Sequence, residues 1–157
     1  MSVDAGEFRA VLGHFASGVV VVAGVHGEAP VGLTCQSFFS LSLHPPLVAL
    51  APSRNSTSWP RVAASPAFCV NVLSAGQEPL ARTFSNAGGD KFSGVAWAPG
   101  PTGAPHLEGA LAWIDCRLED VHDGGDHLLA VGRVVALRSA PGRPLVFYRG
   151  GYGGFEP

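Results

Sequence analysis

Charged residues are scarce in this sequence, and the two signs nearly balance. Asp, Glu, Lys and Arg make up 14% of the chain, against about 25% in a typical soluble domain. Ten basic and twelve acidic side chains leave a formal net charge of −2, and Lys91 is the only lysine. The sequence therefore lacks the basic patch that marks nucleic-acid binding or attachment to an anionic membrane surface. We expect neither partner.

Paired cysteines and long apolar runs are missing as well. Cys35, Cys69 and Cys116 are an odd number, lie far apart, and form no C-x-x-C pair and no zinc-type spacing with histidine. The longest aliphatic stretch, residues 19–25, is far shorter than the ~20 residues of a membrane span. No secretory signal opens the sequence. These absences predict reduced thiols, no metal site and a cytoplasmic protein.

The motifs of several common enzyme classes do not occur. The sequence has no G-x-G-x-x-G between a strand and a helix, no G-x-x-x-x-G-K-[ST], no G-x-S-x-G and no H-E-x-x-H. Their absence argues against a Rossmann dehydrogenase, a P-loop nucleotidase, an α/β-hydrolase and a zinc peptidase.

Hydrophobic and turn-forming residues are plentiful and favour one domain of short strands. The 157 residues, 46% of them hydrophobic, suit a single domain over 1–157. The 21 glycines and 13 prolines demand many turns. The pattern predicts a helix from the Asp4/Glu7 capping box to Gly18, helices near Ser58 and over 77–84, a surface loop over 86–105, and a hairpin closed by 122–127. About seven strands in hairpin succession with a few short helices indicate a mainly β, antiparallel barrel.

Five local motifs follow one another in a fixed order. They are G-L-T-C-Q-S-F with S-L-S-L-H-P-P-L-V (within 32–48), F-C-V-N-V-L-S (68–74), D-K-F (90–92), G-D-H (125–127) and P-L-V-F-Y (144–148). Together they resemble the short-chain flavin reductases, the reductase components of two-component flavin monooxygenases, within the FMN-binding split-barrel group. The resemblance spans roughly residues 8–153.

This resemblance implies a fold and an activity. The implied fold is an antiparallel Greek-key split β-barrel, and the implied enzyme is a homodimer that reduces FMN or FAD with NADH or NADPH and supplies reduced flavin to a separate monooxygenase. The composition also favours a homo-oligomer, because an apolar chain of this size cannot hide all its apolar surface in one core.

The resemblance places the pyrimidine edge of the flavin at the end of the second strand. Backbone N–H groups there would stabilise the charge that develops on hydride arrival. The residues are Thr34, Cys35, Gln36 and Ser37. On composition alone, an ordinary polar turn is the simpler interpretation.

A second set of residues is predicted to hold the flavin phosphate. Ser53, Arg54, Asn55, Ser56 and Thr57 precede a predicted helix, and a helix N-terminus favours an anion. A helix cap with a solvated arginine explains the same residues equally well. Within D-K-F, Lys91 is a further phosphate contact under the resemblance, and Arg82 is the weaker candidate. A surface lysine is the alternative.

The G-D-H hairpin supplies the predicted catalytic residue, His127. Under the resemblance its imidazole orients the nicotinamide, so that the reacting atoms lie about 3 to 3.5 Å apart. Asp126 is expected to fix this ring or the turn, and Tyr152 in the glycine-rich tail to cover the ligand. A solvent-exposed turn histidine is the alternative.

Two other functions are consistent with the sequence. One is a flavin- or haem-binding split-barrel protein without turnover. The other is an enzyme of the pyridoxamine-phosphate oxidase type, whose substrate phosphate needs a cluster of basic residues that this chain does not provide. The sequence does not decide between FMN and FAD or between NADH and NADPH.

Overall fold

Antiparallel strands dominate the structure, a computed structural model that describes residues 1–157. Three α-helices and one 3₁₀ turn at Ala75–Gln77 accompany twelve strands. The helices are α1 (Ala5–Leu12), α2 (Trp59–Ala63) and α3 (Glu78–Ser85). The strands are β1 (Ser17–Gly18), β2 (Val20–His26), β3 (Ala29–Cys35), β4 (Phe38–Ser42), β5 (Leu47–Leu50), β6 (Phe68–Val72), β7 (Trp97–Pro99), β8 (Pro105–Leu107), β9 (Ala112–Gly124), β10 (His127–Ser139), β11 (Leu145–Tyr148) and β12 (Gly151–Gly154).

One large sheet carries most of the chain. Its seven strands lie in the order β3-β2-β6-β9-β10-β5-β4, and β1-β11-β12 and β7-β8 form two smaller sheets. Every strand pair is antiparallel. Neighbours that are distant in sequence, such as β2 beside β6 and β10 beside β5, require the long connections of Greek-key arrangements. The predicted mainly β, antiparallel architecture is confirmed.

The valine-rich run that forms β2 is buried on both faces of this sheet. Val20 and Val22 pack in one apolar cluster with Phe68. Val21 and Ala23, the alternate residues, pack in a second cluster with Phe84. Because successive side chains of a strand point to opposite faces, a strand covered on both sides needs a continuous apolar run. This explains why residues 19–25 show no alternation.

The prediction of about seven strands was too low. The strand β7 lies inside the segment 86–105 that was predicted to be a loop, β8 begins at its last residue, and β12 lies in the glycine-rich tail. Glycine and proline lower strand propensity, but pairing with a neighbour overrides that preference here. The first helix ends at Leu12 instead of Gly18, because Gly13 caps it and Ser17–Gly18 pair with β11.

A large apolar surface stays exposed. No residue of α1 is buried, and its apolar side chains Phe8, Val11 and Leu12, with the following Phe15, are more than half exposed. The accessible surface is 8920 Å², whereas a compact monomer of this mass exposes about 7,500 Å². No helix has the length and apolar character required to span a membrane.

Candidate active site

Most of the predicted site residues surround one cavity, called cavity 1. Its volume is about 420 Å³. Its walls include three segments that are distant in sequence: the end of β3, the loop between β5 and α2, and the start of β10. Of the predicted residues, it is lined by Thr34, Cys35, Gln36, Ser37, Ser53, Asn55, Ser56, Thr57, Lys91 and His127.

The wall after β3 presents backbone donors. The N–H groups of Gln36 and Ser37 donate to no acceptor within the protein. The Ser37 hydroxyl donates to the Ala51 carbonyl oxygen at 3.0 Å and accepts from the Ala51 N–H at 3.1 Å, which fixes this turn to the end of β5. The Thr34 hydroxyl donates to the Ala81 carbonyl oxygen at 2.7 Å and so holds α3 in place. The free backbone N–H groups, more than the side chains, can therefore bind a ligand edge.

Cys35 contributes shape to this wall and no reactive thiolate. Its side chain is buried, and burial raises the pKa of the thiol to about 12. The thiol is therefore neutral at physiological pH, where the thiolate would be the nucleophile.

The loop between β5 and α2 supplies hydroxyl and amide groups. The Ser53 hydroxyl accepts from the Asn55 N–H at 3.1 Å, and the Ser56 hydroxyl accepts from the Trp59 N–H at 3.0 Å. The side chains of Asn55 and Thr57 have no hydrogen-bond partner in the protein. With only five residues, α2 is too short for much of the helix-dipole effect expected from the sequence. The polar groups of the loop would themselves have to hold an anion.

Arg54 does not line cavity 1, contrary to the expectation of a phosphate contact. Its guanidinium pairs with the Asp123 carboxylate at 2.5 Å, and its Nε donates to the Gly125 carbonyl oxygen at 2.7 Å. The Arg54 N–H also donates to the Asp126 carbonyl oxygen at 3.1 Å. These bonds turn Arg54 away from the cavity and tie the loop to the tip of the β9–β10 hairpin.

That connection places His127 in the wall of cavity 1. Ser53 and His127 form an antiparallel bridge, and the Leu128 N–H donates to the Pro52 carbonyl oxygen at 2.9 Å. The imidazole Nδ1 lies 2.7 Å from Asp126 Oδ1, and the side chain of His127 is 48% exposed. This hydrogen bond lowers the pKa of Asp126 below its usual value. Asp126 itself points into solvent and does not line the cavity.

Lys91 lies at the inner end of the cavity with its ammonium fully bonded. The Nζ atom donates to the Ser58 hydroxyl at 3.0 Å and to the carbonyl oxygens of Phe84 at 3.2 Å and Gly32 at 3.3 Å. Partial burial lowers the pKa of this ammonium. With three N–H groups already used, Lys91 would act on a bound anion through its charge.

Tyr152 and Arg82 lie beside cavity 1 and do not line it. Tyr152 is part of β12, and its ring packs against Phe147 with 5.3 Å between centroids. The Arg82 guanidinium lies 5.0 Å above this ring and pairs with Glu78 at 2.8 Å. The glycine-rich tail, which was expected to cover the ligand, thus forms a strand. Tyr152 lines a small neighbouring cavity with Thr34 and Gln36. The Arg82 guanidinium is occupied by its ion pair with Glu78.

The cavity also contains residues that the sequence analysis did not select. Phe84 and Ser85 are the last two residues of α3, Asn86 follows the helix, and Ser58 precedes α2. The only local feature of the sequence that could have indicated these lining residues was the polar Ser85-Asn86 pair at the end of a predicted helix. Nothing in the sequence indicates that this helix end lies beside β3.

A separate cluster of Cys69, His106 and Asp115 contains ligand atoms within 4.8 Å of one another. The carboxylate of Asp115 accepts from the Thr102 hydroxyl at 2.6 Å, and its other oxygen lies 2.7 Å from His106 Nε2. These bonds fix the β7–β8 hairpin on β9. Burial raises the pKa of the Cys69 thiol, so its preferred form is a poor metal ligand. We therefore interpret the cluster of Cys69, His106 and Asp115 as stabilising the fold and not as a metal site.

Cavity 1 suits a flavin in size and in chemistry. Its volume lies within the ~300–1,000 Å³ of ordinary cofactor sites. The free N–H groups of Gln36 and Ser37 match the acceptors of a pyrimidine edge, and the polar loop with Lys91 matches a phosphate. The two features lie on different walls of one cleft, as a ligand with two such ends requires.

Comparison with known proteins identifies the family. Residues 12–156 match the flavin reductase like domain. The chain belongs to this family. Over 99% of its length it is 48% identical to the flavin-dependent monooxygenase reductase subunit HsaB of Mycobacterium tuberculosis H37Rv, covering 84% of that protein. The predicted membership is therefore confirmed.

Two crystal structures of relatives share the fold. Nitrilotriacetate monooxygenase component B from Mycobacterium thermoresistibile superposes with a TM-score of 0.92 at 48% identity, covering 96% of this chain and 86% of that one. The NADH:FAD oxidoreductase SgcE6 of Streptomyces globisporus, in complex with NAD and FAD fragments, gives 0.91 at 39% identity, covering 98% and 94%. The predicted split-barrel fold and the predicted class of NAD(P)H-dependent flavin reductases are confirmed. The roles of individual residues stay predictions.

Proposed function

We propose that this flavin reductase binds FMN or FAD in cavity 1, reduces it with NADH or NADPH, and passes reduced flavin to a separate monooxygenase. The observation that supports the assignment is the convergence on one cleft of two unused backbone donors, a loop rich in hydroxyl and amide groups, and His127. Family membership supports the same reaction.

Each wall has a separate task in this proposal. The Gln36 and Ser37 N–H groups bind the pyrimidine edge and stabilise negative charge there. Asn55, Ser56 and Thr57 hold the phosphate by hydrogen bonds, and Lys91 adds a positive charge. When bound, a flavin supplies the acceptor for the hydride of the reduced nicotinamide.

His127 is proposed to orient the nicotinamide. Its Nδ1 donates to Asp126, which fixes the ring and leaves Nε2 free to bind a ligand, and the residue lines the cleft. The bridge to Ser53 holds the same ring against the phosphate loop. Because hydride transfer needs close and aligned reactants, a residue that orients one of them raises the rate without exchanging a proton.

We also propose a cytoplasmic homodimer in which the partner subunit covers α1. Four apolar side chains of the α1 segment are exposed, and the accessible surface exceeds that of a compact monomer. The three cysteines are free and buried, which agrees with a reducing compartment.

The decisive experiment is an anaerobic assay of the purified protein with NADH and either FMN or FAD. We expect the nicotinamide and flavin absorbance bands to fall together, each flavin consuming one NADH. Unchanged absorbance with both flavins and with both NADH and NADPH would refute the activity. The ratio of one NADH to one flavin shows a two-electron reduction, and adding air afterwards should restore the flavin band, which shows that the flavin was reduced and not degraded.

A further inference from the structure

One backbone hydrogen bond is missing where the β4–β5 ladder ends beside cavity 1. The last residue pair of this ladder is Phe38 with Leu50, so Ser37 and Ala51 lie opposite each other one step beyond it. Opposite residues of a hydrogen-bonded antiparallel pair exchange two bonds, each N–H donating to the other carbonyl oxygen. Here the Ala51 N–H donates to the Ser37 carbonyl oxygen at 3.1 Å, but the Ser37 N–H does not donate in return.

The side chain of Ser37 makes the bond that its backbone omits. Its hydroxyl donates to the Ala51 carbonyl oxygen at 3.0 Å and also accepts from the Ala51 N–H at 3.1 Å. A serine hydroxyl can replace a backbone donor in this way, because it both donates and accepts. The Ala51 carbonyl is therefore satisfied, and the Ser37 N–H stays available to a ligand.

The local backbone agrees with this division of tasks. The Phe38 N–H donates to the Gln36 carbonyl oxygen at 3.0 Å, which closes a tight turn centred on Ser37. Ser37 is exposed, and both Ser37 and Ala51 line cavity 1. The unused N–H thus belongs to a residue of the wall to which the proposed function assigns the pyrimidine edge.

From this arrangement we propose that the Ser37 hydroxyl is a positioning group for flavin reduction: by bonding the Ala51 carbonyl, it keeps the Ser37 N–H free for the flavin. This inference rests on the proposed function. Without the hydroxyl, the Ala51 carbonyl would be left without a donor, which is unfavourable, and the Ser37 N–H is the nearest replacement along the ladder. The flavin would then lose one of the two donors at its pyrimidine edge.

Loss of this donor should affect reduced flavin more than oxidised flavin. Negative charge develops at the pyrimidine edge when hydride arrives, and a hydrogen bond to a charged acceptor is about twice as strong as a neutral one. The hydroxyl should therefore influence the potential and the rate of reduction more than the binding of oxidised flavin. A side chain that only stabilised the turn would affect the binding of both forms alike.

The experiment compares the wild type with Ser37→Ala and with Ser37→Thr, which retains the hydroxyl. The matched control is Ser40→Ala, because Ser40 is an exposed residue of β4 whose hydroxyl forms no hydrogen bond and which does not line cavity 1. Hydrogen exchange of the residue 37 amide is measured by NMR with and without FMN. The dissociation constant of oxidised FMN is measured by fluorescence, and the midpoint potential of bound FMN by anaerobic titration against a redox dye.

We expect the residue 37 amide of the flavin-free wild type to exchange freely and to become protected when FMN is added. In Ser37→Ala it should be protected without FMN, because it has joined the ladder. The dissociation constant of reduced FMN should rise about tenfold more than that of oxidised FMN, which corresponds to a midpoint potential lower by about 30 mV. Reduction by NADH should slow in the same variant. Ser37→Thr should restore the wild-type values, and Ser40→Ala should not change them.

The proposal is overturned if the residue 37 amide is already protected in the flavin-free wild type. It is also overturned if Ser37→Ala matches Ser40→Ala in amide exchange or in midpoint potential. The wild-type exchange measurement decides the first point even if Ser37→Ala does not fold. Failure of the proposed function would look different, because the wild type would neither bind nor reduce FMN while the exchange difference between the flavin-free proteins persisted.

Discussion

The Nδ1 atom of His127 lies 2.7 Å from the Oδ1 atom of its sequence neighbour Asp126, at the tip of the longest hairpin in the fold. The carboxylate is exposed to solvent and orients the imidazole through this bond, and His127 lines cavity 1. Orientation of a side chain by a bonded neighbour preorganises it for its task.

Replacing His127 by alanine should therefore impair hydride transfer more than flavin binding. We expect kcat/KM for NADH to fall by at least about tenfold, with the flavin dissociation constant changed by less than about twofold. Stopped-flow reduction and a fluorescence titration measure the two quantities. A collapse of flavin affinity would contradict the proposed role.

Asp126→Asn tests the orienting carboxylate. We expect a smaller loss than for His127→Ala, because an amide oxygen can still accept the Nδ1–H bond. The hydrogen bond lowers the pKa of Asp126, so the carboxylate stays ionised through neutral and mildly acidic pH. In the wild type its contribution should be lost only as the pH falls through that lowered pKa. A pH profile of flavin reduction, compared with that of Asp126→Asn, shows whether the acidic limb depends on this group.

Arg54→Ala should loosen the hairpin tip without unfolding the protein. The guanidinium pair with Asp123 is largely exposed, so we expect a loss of less than about 1 kcal/mol in unfolding free energy. The KM for NADH should rise, because His127 is no longer held against the Ser53 loop. Arg133→Ala, which removes another exposed pair outside cavity 1, is the control. An equal rise in both variants would refute the positioning role of Arg54.

The three buried thiols should make the fold sensitive to alkali. Burial raises the pKa of Cys35 and of Cys116 to about 12, and that of Cys69 in the same direction. A raised pKa in the folded state means that the unfolded state loses protons first, so stability is lost as the pH rises above 9. Each thiol should lower the unfolding free energy by about 1.4 kcal/mol per pH unit there. Lys91 acts in the opposite direction, because burial lowers its pKa.

Urea unfolding from pH 7 to pH 10 under reducing conditions measures this effect. Cys116→Ala should make the unfolding free energy fall less steeply with rising pH above pH 9, by the contribution of one thiol. A slope that is the same in the variant and the wild type would contradict the assignment.

The buried pair of His106 and Asp115 should stabilise the β7–β8 hairpin. The Asp115 side chain is 1% exposed, so His106→Ala leaves a buried carboxylate short of a partner and should cost about 3 kcal/mol. Thr102→Val removes only one neutral donor and should cost about 1 kcal/mol. Gly100→Ala should also destabilise, since an added Cβ would collide with the His106 imidazole. Chemical unfolding measures the unfolding free energy of the three variants. An unchanged unfolding free energy in His106→Ala would refute the stabilising role of the His106–Asp115 pair.

Charges placed on α1 should dissociate the proposed homodimer. Phe8→Glu combined with Val11→Glu replaces two apolar side chains that are more than half exposed and belong to none of the apolar clusters of the protomer. We expect analytical ultracentrifugation to show a dimer for the wild type and a folded monomer for this variant. Glu7→Gln, on the same helix, is the control. A wild-type monomer would end the dimer proposal.

Much of the architecture could be predicted from local sequence patterns. The valine run of β2 and the G-D-H turn between β9 and β10 carry their own signals of burial and reversal, because strand periodicity and turn chemistry depend on neighbouring residues. Asn71, within the F-C-V-N-V-L-S motif, was read as part of a strand. In the fold its buried side chain donates to Val21 and Pro105 carbonyl oxygens and accepts from the Leu107 N–H. No local pattern indicates such a long-range role.

The site divides in the same way. The sequence by itself determined which segments carry hydroxyls, amides and the single lysine, since these are properties of residue type. Only the tertiary structure decided that the Gln36 and Ser37 N–H groups stay free, that Arg54 turns from the cavity to Asp123, that Tyr152 is held in a strand, and that the Lys91 ammonium is bonded to three protein oxygens. These outcomes depend on which partner is nearest after strands distant in sequence have paired, and that competition exists only in three dimensions.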